Sequence, residues 1–209
     1  MATSRGFSRP YWVALRYMLV ATAVLGIAYP VAVLGVGQLA LPAQANGSPV
    51  TVDGQTVGSS LIGQSFADPS ADADAASTGD AALPEWFQSR PSAANYDSSA
   101  SVASNYGPEN PDFIAAIEAR KSAISKADGV DPASIPVDAL TTSGSGLDPH
   151  ISPDYAYEQV NRIADARGLA ASDVTALVGR FVQGRDLGYL GEPTVNVLQL
   201  NVALSQLAG

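Results

Sequence analysis

Tyr17 to Leu41 reads YMLVATAVLGIAYPVAVLGVGQLAL, an apolar run without one charged side chain. About 25 residues at 1.5 Å each reach roughly 38 Å as a helix, enough to cross a hydrocarbon core of about 30 Å with tilt. Gly26, Pro30, Gly35 and Gly37 lie inside it; such residues weaken a soluble helix and are tolerated in a spanning one. The run divides the chain into a tail (1–16), a transmembrane helix (17–41) and a separate domain (42–209). Ala43-Gln44-Ala45 has the A-x-A form that a signal peptidase accepts. The run is far longer than the roughly 7 to 15 residues of a signal h-region, however, and this favours an uncleaved anchor. The same length opposes a buried core helix.

The charge pattern orients that helix. The 209 residues hold 11 Lys and Arg against 20 Asp and Glu, a net charge of −9. Arg5, Arg9 and Arg16 precede the apolar run, the next cation is Arg90, and every acid follows Leu41. Positive flanks stay cytoplasmic, so the sequence predicts the N-terminus inside the cell membrane and the domain outside, with Tyr11 and Trp12 at the inner interface. The acidic balance excludes a basic nucleic-acid footprint. It also sets up a field that raises local cation concentration at low salt, although solubility is a sufficient reason for it. The absence of cysteine fits an exported domain without disulfides.

Within the domain the sequence predicts a mixed α+β fold. Asp53-Gly54 between Val50–Val52 and Gln55–Val57 predicts a hairpin with a tight turn, which Leu61-Ile62-Gly63 would extend. Residues 67–85 are rich in Ala, Asp and Ser and poor in large apolar side chains, so they read as a mobile acidic insertion. From Trp86 to Pro111, aromatics mixed with Pro, Ser, Asn and Gly predict irregular backbone held by side-chain hydrogen bonds. Asn110-Pro111-Asp112 starts a helix that closes at Gly129. Ile135 to Leu140 alternates as a short strand. Ser152-Pro153-Asp154 starts a second helix, with Tyr155, Gln159, Val160, Ile163 and Ala164 following and Gly168 ending it. Ser172-Asp173 caps a third, bearing Val174, Leu177, Val178 and Phe181. After Asn196 the stripe Val197, Leu200, Leu204, Leu207 favours a helix over a strand by a narrow margin.

The chemistry-bearing residues gather in Thr142 to Pro153, TSGSGLDPHISP, which holds the only histidine. Ser145, Asp148 and His150 invite a catalytic triad, but triads converge from separate segments, and Ser143-Gly144-Ser145-Gly146 misses the Gly-x-Ser-x-Gly elbow by one position. A phosphate loop lacks its lysine. One histidine without cysteine opposes zinc, and the acidic insertion lacks calcium-loop spacing, so no metal site is expected. Arg90, ahead of Pro91 and Ser92, has two open readings: a pair with a carboxylate, or a stack on Trp86 or Phe87. Arg90, Ser92, Ser145, Asp148 and His150 are therefore candidate structural or partner-contact residues, with no catalytic residue among them.

The blocks GSSLIGQSF, RPSAANYD, SNYGPENP, SGSGLDPHISP, QVNRIADARGL and LGEPTVNVLQLNVAL occur in order from Gly58 to Leu204. Together they resemble the KdpC family, the C subunit of the potassium-transporting Kdp ATPase. The segment from Ser70 to Leu83 stands as an insertion between two blocks; Val102-Ala103 replaces the usual glycines and Tyr106 a usual leucine. The resemblance implies a non-enzymatic subunit partnered by KdpA, KdpB and KdpF in ATP-driven, high-affinity potassium uptake. It further implies an assembly factor and a catalytic chaperone that raises the affinity of KdpB for ATP. ATP enters only through that description, no cofactor being bound firmly, and the outward topology conflicts with direct contact to cytosolic nucleotide. The rival class is a membrane-anchored extracytoplasmic serine hydrolase using Ser145 and His150.

Overall fold

The computed structural model describes residues 8–71 and 81–207. The chain divides into two compact units, Met1–Ser48 and Pro49–Gly209. In the first, α1 (Ser8–Ala21) runs through a π-helical turn (Thr22–Ala28) into α2 (Tyr29–Ala40), and a last turn, α3 (Pro42–Ala45), follows. The π turn places the Tyr29 N–H on the Val24 carbonyl, five residues back. Pro30 then falls in the first turn of α2, where a missing N–H costs little. The helix begins ahead of Tyr17 because Tyr11 to Leu15 also suit it, and the Arg16 guanidinium lies 4.9 Å from the centre of the Trp12 ring. Arg9–Ala40 is long and apolar enough to cross a membrane. Its large side chains, among them Tyr17, Leu25, Tyr29 and Leu34, are exposed, as expected of a helix whose apolar surface meets lipid instead of a protein core.

The second unit opens with the predicted hairpin. β1 (Pro49–Val52) pairs antiparallel with β2 (Gln55–Ser59), with Val52 opposite Gln55. Asp53 and Gly54 both take positive φ, 49° and 78°, the geometry that Asp-Gly supplies cheaply. Leu61-Ile62-Gly63 forms a turn instead of more strand, with Ile62 N donating back to Ser59 O at 3.3 Å. The predicted mobile insertion falls partly outside the described residues, at 72–80. Its two ends are paired, Asp68 N donating to Ala81 O at 2.8 Å and Leu83 N to Phe66 O at 3.3 Å.

α4 (Pro111–Asp128) starts as the sequence predicts, the Asn110 side chain accepting from Asp112 N and Phe113 N, and it ends at Gly129 with φ 68°. The strand expected over Ile135 to Leu140 is corrected: α5 (Val137–Leu140) is a helical turn entered from Pro136. Alternation would have buried Val137 with Ile135, whereas Ile135, Ala139 and Leu140 are buried and Val137 is exposed. β3 (His150–Ile151) leads to α6 (Pro153–Glu158) and α7 (Val160–Arg167), a helix broken at Gln159 where one continuous element is expected. Ser152 caps α6 by accepting from Tyr155 N, and Gly168, φ 65°, closes α7.

α8 (Ala171–Phe181) starts two residues earlier than the expected Ser172-Asp173 cap; Ala170 is the N-cap and makes no side-chain bond. β4 (Val182–Gln183) and β5 (Thr194–Asn196) complete an antiparallel sheet in the order β3-β5-β4, with His150 opposite Asn196 and Val182 opposite Val195. α9 (Val197–Leu207) confirms the helical stripe. Ile151, Ile163, Val174, Leu177, Val178, Val195, Leu200 and Leu204 join in one core with Phe87. Each buried aliphatic side chain contributes roughly 1.5–3 kcal/mol. This core fixes the sheet, and β3 carries the loop before it into place.

Candidate functional site

The loop from Ser143 to His150 is built from short polar turns. Ser143 Oγ accepts from Gly146 N at 2.9 Å, Ser145 Oγ from Leu147 N at 3.1 Å, and Asp148 Oδ1 from His150 N at 3.0 Å. Side chains that take up nearby amides in this way stabilise irregular backbone locally. The loop is then tied to its surroundings. Val102 N donates to Ser145 O at 3.0 Å, Gly63 N to Leu147 O at 2.8 Å, and Val197 N to Pro149 O at 3.0 Å. Two glycines are required by close approach. A Cβ on Gly63 would lie 2.5 Å from the Asp148 carbonyl oxygen, and one on Gly146, φ 68°, would lie 2.6 Å from that of Val102.

The five candidates come together here. Buried Ser92 donates from Oγ to Gly146 O at 2.5 Å and accepts from Ala94 N at 3.1 Å and Tyr96 N at 3.0 Å. Arg90 reaches Asp148 Oδ2 through Nη1 at 3.3 Å and Thr141 O through Nη2 at 3.4 Å, while the Tyr96 hydroxyl donates to the Arg90 carbonyl. The carboxylate reading of Arg90 therefore holds, and the cation over Trp86 is Arg167, 4.3 Å from the ring centre. Asp148 Oδ1 lies 3.4 Å from His150 Nδ1. Burial pushes the Asp148 carboxyl up, but the side-chain and backbone hydrogen bonds of His150, with the Arg90 charge, outweigh it and hold the group below its ordinary 3.8.

This arrangement spends its reagents on structure. Ser145 Oγ has Ser143 Oγ at 3.4 Å and the Leu147 N–H as neighbours, and His150 faces Asp148 without a hydrogen bond to Ser145. A nucleophile needs a base within hydrogen-bond reach, and that contact is missing. Among the described residues no group of three or more His, Asp or Glu stands where it would hold a metal ion. A partly open cavity of about 90 Å³, lined by Arg90, Arg120, Arg162 and Asp128 among others, lies nearby. It is far smaller than the roughly 300 Å³ at which small-molecule pockets begin.

Sequence reasoning missed a second set of residues, which holds residues 84–88 and the start of α6. Asn201 accepts from Phe87 N and donates to Phe87 O, both at 2.9 Å. Gln159 accepts from Gln88 N at 2.6 Å and donates to Gln88 O at 3.3 Å. Arg162 binds Asp128 through Nε at 2.5 Å and donates from Nη1 to Pro84 O at 2.6 Å and Trp86 O at 3.1 Å. Asp138 accepts from Ser152 N and Oγ at 2.7 and 2.9 Å. One signal was legible: Gln159 lies on an otherwise apolar helix face, where a polar side chain must find partners.

These features define the class, a small mixed helix-and-sheet domain carried with one apolar helix. The family model of KdpC, the K+-transporting ATPase c chain, matches residues 11–206. The chain is 53% identical to the potassium-transporting ATPase KdpC subunit of Kineococcus radiotolerans, over 93% of this chain and 92% of that one. It is 47% identical to the subunit of the same name from Methylococcus capsulatus, over 93% and 96%, and 43% identical to that of Streptomyces avermitilis, over 96% and 95%. The chain belongs to the KdpC family.

Proposed function

We propose that this chain is a non-catalytic subunit of a potassium-uptake ATPase. One uncleaved helix anchors it, with the N-terminus cytoplasmic and the domain outside, and it joins KdpA, KdpB and KdpF. There it assists assembly and raises the affinity of KdpB for ATP. The observation that carries this reading is the locked loop, in which Ser92, Ser145, Asp148 and His150 satisfy backbone and one another. Such a loop suits presentation of a fixed surface to a partner. The arginine asymmetry supports the orientation.

Copurification from membranes is the test. The tagged chain is expected to bring down a large channel-like protein and a P-type ATPase, and a chain recovered alone defeats the proposal. Orientation is read separately, since the chain has no cysteine. Ser99→Cys should react with an impermeant thiol reagent in intact cells, and protection until lysis reverses the topology.

A further inference from the structure

The connection between β4 and β5 carries large apolar side chains into solvent. Leu187, Tyr189 and Leu190 are 82%, 69% and 48% exposed, yet this segment is well built. Asp186 N donates to Leu190 O and Leu190 N to Asp186 O, both at 2.9 Å, and Gly188 N donates to Arg185 O at 3.1 Å. An Arg185–Glu192 ion pair closes the base. Leu187 sits at φ 52° with Gly188 at φ 84°. A left-handed leucine is rare and persists only where its surroundings over-determine it, and such strain collects at functional surfaces. Here the paired amides and the ion pair do the over-determining.

We infer that this knob is an anchor for a partner protein, seated in an apolar socket on another subunit of the complex. The inference rests on the proposed membership of a multi-subunit ATPase. Charge decides between a protein socket and a lipid surface. The only cation of the knob, Arg185, is spent on Glu192, and Asp186 is left in a domain that carries 8 basic against 20 acidic side chains beyond residue 41. Binding to an anionic membrane surface calls for free Lys or Arg, whereas an apolar socket with neutral or basic rim groups suits this charge. A tyrosine flanked by leucines on pre-ordered backbone loses little freedom on docking and has the character of a binding hot spot. Three side chains fall short of the roughly 800 Å² per partner of a stable interface, so the knob anchors a larger contact.

The test measures copurified ATPase subunits with the full-length tagged chain. Leu187→Asp and Tyr189→Asp should each lower recovery about tenfold or more, with the fold unchanged by circular dichroism. Val137→Asp, at a site 71% exposed elsewhere on the domain, should copurify normally. If the unaltered chain brings down no partner, the proposed function itself fails. If it does so and both knob variants match it, only the socket inference is overturned. An environment-sensitive probe on Leu187→Cys separates lipid from protein: a blue shift that needs the assembled complex supports the socket, and the same shift for the chain alone in lipid nanodiscs overturns it.

Discussion

Two irregular stretches of this domain are held in opposite ways. Residues 84–88 have local bonds from Trp86 N to Leu83 O and from the Gln88 side chain to Leu83 O and Trp86 O, and are gripped besides by side chains from helices far off in sequence, Gln159, Arg162 and Asn201. Residues 143–150 hold themselves through serine and aspartate caps two or three residues away and are then pinned at glycines. The first stretch depends mainly on polar groups from distant helices, beside the local bonds of Gln88; the second depends on local turns and close backbone approach. Loss of a gripping side chain should therefore cost more than loss of any single turn.

Arg162→Met makes the largest break. It removes donors to Pro84 O and Trp86 O and strands Asp128, whose side chain is 4% exposed. Burial already raises the Asp128 carboxyl despite the Arg162 charge. Removing one partner of a buried pair costs about 3–5 kcal/mol, and chemical denaturation of the full-length protein should show it. Adding Asp128→Leu should recover part of the loss, with the carbonyls of 84–86 accounting for what remains.

Against the loop, Gly63→Ala should cost about 1–3 kcal/mol, because the new methyl meets the Asp148 carbonyl, which cannot rotate away. Ser92→Ala should cost about 1–2 kcal/mol by leaving Gly146 O and two amides without their hydroxyl partner. A melting curve that puts Ser92→Ala level with Arg162→Met would erase the contrast between the two stretches.

The same contrast explains what was legible. Asn110, Ser152, Gly129, Gly168 and Asp53-Gly54 act within a few residues, so their letters announce their structures. Strands of two and three residues such as His150–Ile151 and Thr194–Asn196 exist only through their pairing in the sheet and leave no period to read. Pro136 starts a helical turn because Ala139 and Leu140 enter the core, a tertiary fact. At the site, Ser145, Asp148 and His150 stood out through their closeness in sequence. The grip of Gln159, Arg162 and Asn201 spans 71 to 114 residues and could not be read from spacing.

Acidity sharpens the comparison with the smallest expected effect, because the two stretches respond with opposite sign. Glu158, one residue before the gripping Gln159, has a buried Oε1 without a hydrogen-bond partner. Burial, then Asp128 and Asp138, pushes its carboxyl from 4.5 up to about 7. A raised acid holds more protons folded than unfolded, so stability must fall as pH rises from about 4.5 to about 7. Glu158→Gln should remove that slope and gain at pH 8, by less than about 1 kcal/mol because the carboxyl is half exposed and screened. Asp148 is depressed instead, so its contribution is intact above 3.8 and is lost as pH falls through its lower folded value. Denaturation of Glu158→Gln and Asp148→Asn across pH 3 to 8 should therefore change opposite ends of the stability curve. Two variants that flatten the same end would show that the carboxyls belong to one coupled network and that the two stretches are not held independently.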